Sequence, residues 1–286
     1  MKKLKADKDF KLSNYPTKED KINPDKAKND LKDLRKEIAK IQDKMYAQNK
    51  YSVLICLQGM DTAGKDSLIR EVFKDFNARG VVVHSFKTPT SKELQHDYLW
   101  RHYVALPERG KFAVFNRTHY ENVLVTRVHP KYLLHENLPK INDTKDVKPS
   151  FWKARFEQIN AFEKHITQNG TIILKFYLHL SKDEQKERLL RRLEEENHNW
   201  KFSPGDLEER KLWDKYMESY EDAIKNTSTN YAPWYIIPAD DKKVARYLVA
   251  KKILEELKKH KDISYPELPE DIEKDIASYR DELENE

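Results

Sequence analysis

Apolar positions along the chain follow two periods. Short runs rich in apolar and β-branched residues recur at Val53–Leu57, Val81–Phe86, Lys111–Phe115, Thr171–Leu178 and Trp234–Pro238. Each reads as a strand, and the unbroken Val53-Leu-Ile-Cys-Leu57 as one buried on both faces. Between them, apolar residues return at three and four positions. Leu31, Leu34, Ile38, Ile41 and Met45 predict a long helix over Asp25–Asn49. Further helices are predicted over Ser91–Leu106, Lys153–Gln168, Ser181–Glu196, Gly205–Asn226 and Lys242–His260. Leu68, Ile69, Val72, Phe73 and Phe76 form one more apolar stripe. Strand and helix alternate throughout, the pattern of a parallel sheet covered by helices on both faces. Met1–Pro24 reads as an extended arm or linker, and the acidic tail Ser264–Glu286 as a segment that wraps the surface or frays.

The junction of the first strand with the next helix carries chemistry. Gly59-Met-Asp-Thr-Ala-Gly64-Lys65-Asp66-Ser67 links them, and two of only 6 glycines bracket that loop. Glycines let the backbone curl so that its N–H groups, those of Ala63 and Gly64 among them, face an anion. The following helix N-terminus adds partial positive charge, and Lys65 a mobile cation. Asp66 stands where Ser or Thr commonly follows the lysine, and Asp61 lies inside the loop. Two carboxylates beside phosphates repel them unless metal lies between. Asp61, with help from Asp66, is therefore the expected metal site.

Ligands of parallel sheets bind beyond the carboxyl ends of the strands. That rule gathers further candidates. Lys87 follows the second strand. Asn116, Arg117 and Glu121 follow the third, Arg117 as a fork for two phosphate oxygens and Glu121 for the metal shell. Arg127 is a similar cation. Arg188, Arg191 and Arg192 share a helix after the fourth strand, placed to close over phosphates. Trp200, in the helix break Asn197–Asp206, is a candidate to stack a base. His119 reads as locally packed rather than catalytic.

Composition adds bounds. The 286 residues are 36% charged, with mean hydropathy -0.92 and a net charge of +5. This mild basic bias selects no partner class, and no nucleic-acid module is recognisable. No apolar run is long enough to span a membrane, no signal-peptide core follows the N-terminus, and the single Cys56 lies in a buried strand. These features point to the reducing cytoplasm.

Five segments in order, QGMDTAGKDS, SFKTPTSKELQHDYLWR, FNRTHYENVLVTRVHP, RLLRRLEEENHNWKFS and TSTNYAPWYIIPADDKKVAR, make the sequence resemble the family-2 polyphosphate kinases, relatives of thymidylate kinase. The resemblance covers most of Tyr51–Ala250, and its third segment is similar to the branch that accepts both AMP and ADP. It implies a three-layer α/β/α P-loop kinase domain over 1–286. The five-stranded parallel sheet carries an N-terminal helical extension (1–49) and a helical lid (about 182–226). It further implies Mg²⁺-dependent phosphoryl transfer, with Mn²⁺ as a substitute, between inorganic polyphosphate and AMP or ADP to form ADP or ATP. Guanine nucleotides are further acceptors to test, and dimers or tetramers are the implied assembly. Asp61, Lys65 and Arg117 match the family's loop acid, loop lysine and clamp arginine, and the lid arginines its polyphosphate-facing cations. Asn116 stands where more distant kinases carry Asp, which counts against direct metal binding there. The competing enzyme class is an ATP-dependent nucleotide kinase of the thymidylate-kinase type. The competing non-enzyme class is a polyanion- or nucleic-acid-binding protein.

Overall fold

The computed structural model describes residues 4–7, 9–200 and 202–286. Among them five strands form one parallel sheet: β1 (Ser52–Gln58), β2 (Val81–Ser85), β3 (Phe112–Asn116), β4 (Thr171–His179) and β5 (Trp234–Pro238), ordered β2-β3-β1-β4-β5. β1 is central and wholly buried, paired through Ile55 with Val114 of β3 and Leu174 of β4. A strand apolar on both faces needs cover on both faces, and two helical layers supply it. On one face lie α1 (Pro24–Gln48), α2 (Lys65–Val72) and α10 (Lys242–Leu257), packed on Val53, Ile55 and Leu57. On the other lie α4 (Glu121–Val128), α5 (Pro149–Gln168) and α9 (Trp213–Thr227). This is the expected three-layer α/β architecture.

The helix ends follow their sequence signals. Asn23 caps α1 by accepting from the amides of Asp25 and Lys26, with Pro24 in the first turn. Asp241 caps α10 through the amides of Lys243 and Val244. Ser181 caps α6 (Lys182–Glu194) through the amide of Glu184. Short side-chain acceptors here satisfy amides that have no partner within the helix.

Of the two readings of the segment before α1, its described residues bear out the extended arm, and three further expectations are corrected. Ala6 N donates to Trp234 O (2.9 Å), Ile236 N donates to Leu4 O (2.8 Å), and Phe10 is buried. β5 ends the sheet, and the arm pairs with backbone groups that this edge would otherwise leave open. Ser91–Leu106 is not one helix. It holds a single turn at Glu93–Gln95 and the four-residue α3 (Trp100–Tyr103). Asp97 takes the Leu99 amide at 2.8 Å and His96 stacks on Trp100, a local turn that competes with a continuous helix. Gly205–Asn226 divides at Leu212 into α8 (Pro204–Lys211) and α9, so that Trp213, Tyr216 and Tyr220 enter the core. Between α6 and α8 lies α7 (Glu196–Asn199). The tail contains α11 (Glu270–Glu284), whose residues are all exposed.

Lys201, within the expected lid tip, lies outside the described residues. Cys56 is buried against the sheet, and burial pushes its thiol pKa well above the ordinary value, as for an unreactive core residue. Among the described residues no helix is long and apolar enough to cross a membrane.

Candidate active site

The loop from Gly59 to Gly64 leaves the end of β1 and turns into α2. At Gly59 a Cβ atom would lie 3.0 Å from Leu178 O and 3.1 Å from the Leu178 Cβ, so only glycine lets the loop pass the end of β4. Gly64 precedes α2 at φ +99°, a conformation that glycine adopts without cost. Two residues with side chains hold positive φ beside it: Thr62 at 66° in the loop and Arg117 at 62° where β3 ends. Such backbone costs about 1 kcal/mol or more per residue and gathers at functional sites.

Lys65 is buried and turned onto its own loop, Nζ donating to Gly59 O at 2.7 Å and Met60 O at 3.3 Å. Burial, and then the neighbouring Arg117 charge, lower its pKa to about 8. Arg117 pairs with Asp61 at 2.8 Å and with Glu121 at 3.5 Å. Glu121 foremost, with Asp61, raises the Arg117 pKa, so the guanidinium stays charged at any working pH. Asn116 donates Nδ2 to Asp66 Oδ1 at 2.6 Å, while its buried Oδ1 has no partner.

Two clefts meet at Asp61 and Arg117, and both line each of them. The first, about 270 Å³, is bounded by Thr62, Gly64, Lys65, Asp66, Ser67 and Asn116 and roofed by Arg188, Arg191, Arg192 and Lys242. The second, about 620 Å³, is bounded by Phe86, Lys87, Tyr98, Arg101, Glu121, Asn122, Val125, His129, Glu209 and Tyr216. Its far wall is a hydrogen-bonded set. Tyr216 Oη donates to Glu209 Oε2 at 2.6 Å, and His129 Nε2 lies 3.0 Å from the same oxygen.

The structure sorts the candidates. Asp61, Lys65, Asp66, Ser67, Asn116, Arg117, Arg188, Arg191 and Arg192 converge on the first cleft, and Lys87 and Glu121 on the second. Arg188 does more than face the cleft. It is buried, with Nη1 donating to Thr62 O (2.9 Å) and Nη2 to Ala239 O (2.7 Å) and Asp240 O (2.9 Å). It therefore fastens the loop to the end of β5. Arg191 pairs with Glu184 at 3.4 Å and Arg192 with Asp206 at 2.9 Å.

Arg127 is a correction. It lines neither cleft, but pairs with Asp222 of α9 and lies over the Trp152 ring. Its position on α4, rotated away from the cleft-lining Asn122, Val125 and Thr126, carries it to the side that meets Asp222 of α9 and Trp152 of α5. Trp200 is exposed and also lines neither cleft. Lys242 is an addition. It opens α10 and roofs the first cleft, and burial together with Arg188 and Arg191 lowers its pKa to about 8. It stands just after the fifth strand, where the strand-end rule would have found it. His119 is buried and bonded to Glu163, as expected for a packed histidine.

Among the described residues no group of three or more His, Cys, Asp or Glu side chains is arranged as a complete metal cage. Asp61, Asp66 and the unpartnered Asn116 Oδ1 nevertheless suit an ion that takes one or two carboxylates from protein and the rest from phosphates and water.

The family description Polyphosphate kinase 2 (PPK2) matches residues 21–264. The ADP-polyphosphate phosphotransferase of Rhodopseudomonas palustris is 44% identical over 274 residues, 95% of this chain and 93% of its own length. The AMP/ADP-polyphosphate phosphotransferase of Meiothermus ruber is 46% identical over 224 residues, 78% of each chain. The crystal structure of polyphosphate kinase 2 from Arthrobacter aurescens TC1 superposes with a TM-score of 0.88 at 33% identity, covering 97% of this chain and 95% of that one.

Proposed function

The chain belongs to the polyphosphate kinase 2 family, and from that premise we propose how its two clefts divide the reaction. It is a phosphotransferase that moves a phosphoryl group between inorganic polyphosphate and AMP or ADP. Polyphosphate occupies the cationic cleft under Arg188, Arg191, Arg192 and Lys242. The acceptor nucleotide occupies the aromatic cleft beside Phe86, Tyr98 and Tyr216, with its terminal phosphate directed at Arg117. The observation that carries this assignment is that the clefts differ in chemistry and meet at Asp61 and Arg117.

A terminal phosphate oxygen of the acceptor attacks the end phosphorus of the polymer. One P–O bond forms as the bridging P–O bond breaks, and the shortened polymer leaves as an oxyanion. The attacking oxygen is already ionised, so no strong base is required. The work is to hold two polyanions in line and offset their repulsion. Arg117 spans the transferred group, its charge secured by Glu121 and Asp61. Lys65 leaves the carbonyls of Gly59 and Met60 for phosphate oxygens. Gly64 turns its backbone amide toward the same oxygens, whereas the Ala63 amide donates to Met60 O at 3.1 Å and shapes the loop instead, and Ser67 follows in the first turn of α2. Asp61, with Asp66, would hold Mg²⁺, which neutralises charge on the bridging and transferred oxygens when bound. Lys87 meets the acceptor phosphates from the second cleft.

The test supplies polyphosphate with AMP or ADP and no other phosphate donor. ADP and then ATP are expected to appear only when a divalent metal is present. Absence of product with both acceptors would overturn the assignment. An ATP-dependent nucleotide kinase is not favoured, because the family and its named relatives use polyphosphate.

A further inference from the structure

Behind the site lies a charged cluster that the reaction does not touch. Lys175 sits in the middle of β4 and Glu163 on α5, both fully buried. Lys175 Nζ donates to Glu163 Oε2 at 2.6 Å, to Tyr120 Oη at 2.8 Å and to Thr227 O at 2.8 Å, which uses its three protons. Glu163 Oε1 accepts from Tyr120 Oη at 2.7 Å and from His119 Nε2 at 3.1 Å. Burial lowers the pKa of His119, so the ring is neutral and donates through Nε2. Glu163 stays a carboxylate. Burial alone would raise its pKa, but the Lys175 charge and the His119 hydrogen bond lower it on balance.

Such a cluster is costly to bury, and apolar residues of the same volume commonly do no worse for stability. Its location suggests what it specifies. The residues it grips, His119 and Tyr120, lie two and three positions after Arg117 in the turn between β3 and α4. Thr118, between Arg117 and His119, accepts from Tyr120 N and from Gln58 Nε2, both at 3.1 Å, and Gln58 is the last residue before Gly59. The turn is thus held from within at three consecutive side chains. Arg117 alone points outward, at a positive φ that a loose turn would relax.

We propose that the Lys175–Glu163 pair, acting through Tyr120 and His119, is a positioning device that sets the Arg117 guanidinium at the junction of the two clefts. The proposal rests on the phosphotransferase reading for its kinetic consequence and on geometry for its structural one.

The test uses the double substitution Glu163→Leu with Lys175→Met, which removes both charges and keeps the volume. With polyphosphate and ADP, kcat is expected to fall on the order of a hundredfold, as for a misplacement of about 1 Å, while KM for polyphosphate stays within about twofold. The loss should shrink to less than about threefold in an Arg117→Lys background, since effects that act through one residue do not add. Hydrogen exchange should quicken at the amides of residues 117–121 while those of β1 stay protected. Tyr120→Phe should show the same pattern more weakly. Unchanged exchange in the turn, or a kcat loss that is fully additive with Arg117→Lys, would overturn the proposal. Failure of the unsubstituted protein to form ATP would overturn the phosphotransferase reading instead, and the exchange result would still decide whether the pair holds the turn.

Discussion

The two clefts share a wall and little else. Among the described residues, Lys65, Arg117, Arg188, Arg191, Arg192 and Lys242 line the smaller with the acids Asp61, Asp66 and Glu195, while Glu184 and Asp206 pair with its arginines from outside that lining. Around the larger, Lys87, Arg101 and Arg117 are matched by Asp61, Glu93, Asp97, Glu121, Glu136 and Glu209, and four aromatic rings, Phe86, Tyr98, Tyr132 and Tyr216, complete the wall. Excess cation suits a ligand that is phosphate along its whole length. Aromatic faces with paired acids suit one that is phosphate at a single end. Sequence neighbours do not separate in this way, and the division arises only when strand ends converge.

The largest effect should come from the shared wall. Arg117→Ala or Lys65→Ala is expected to lower kcat about a hundredfold to a thousandfold, the scale for removing one preorganised donor to a developing charge. Circular dichroism and the melting temperature should show an intact fold. Comparable turnover would break the common junction. Asp61→Asn should come next, with loss of metal-dependent turnover and a raised Mg²⁺ requirement read by metal titration.

Substitutions on one side should then separate the ligands. Arg191→Ala or Arg192→Ala should raise KM for polyphosphate by about tenfold and leave KM for ADP unchanged, since a charge-assisted hydrogen bond contributes about 1.5 kcal/mol or more. Tyr216→Phe should do the reverse, raising KM for ADP by about threefold through loss of one hydrogen bond to Glu209. Equal effects on both constants would mean that the clefts are not separate sites.

pH gives a finer probe of the cationic side. Lys65 and Lys242 both have pKa values lowered to about 8. They are cations below that value and lose charge above it, so KM for polyphosphate should rise as pH passes through about 8. Stability should move the opposite way. Between pH 8 and the ordinary lysine pKa of about 10.4 the unfolded chain binds more protons, so the folded state without ligand gains stability as pH rises. Melting and KM measured across pH 7 to 10 in the same buffers check both signs.

The smallest effect is expected at Arg127. Its pair with Asp222 is partly exposed. Arg127→Ala should leave both KM values unmoved and reduce stability by at most about 1 kcal/mol. A raised polyphosphate KM would return Arg127 to the site from which its geometry removes it.

Much of this protein was legible in one dimension. Strands read from apolar runs are the strands of the sheet, because β1, β3 and β5 are buried throughout and so demand unbroken apolar sequence, while the edge strand β2 is marked by its β-branched valines although Val82 and Val83 are exposed. The phosphate loop was legible because its chemistry is local, with glycines, lysine and helix start lying within nine residues. Segments shaped by competition were not. Ser91–Leu106 carries helical periodicity, yet Asp97 and His96 favour a turn, and Leu212 breaks a helix whose second half is drawn into the core.

The sequence by itself determined the fold class, the anion-binding loop and the set of strand ends at which cations would be needed, since each depends on short-range pattern. Only the tertiary structure decided which of those cations face a common space. It turned Arg127 onto α9, made Arg188 a brace as well as a cleft residue, brought Lys242 in from the fifth strand, and paired Lys175 with Glu163 behind Arg117. The physical reason is that a side chain's direction follows from the rotation of its helix and the packing beneath it. Both are settled by contacts between residues far apart in the chain.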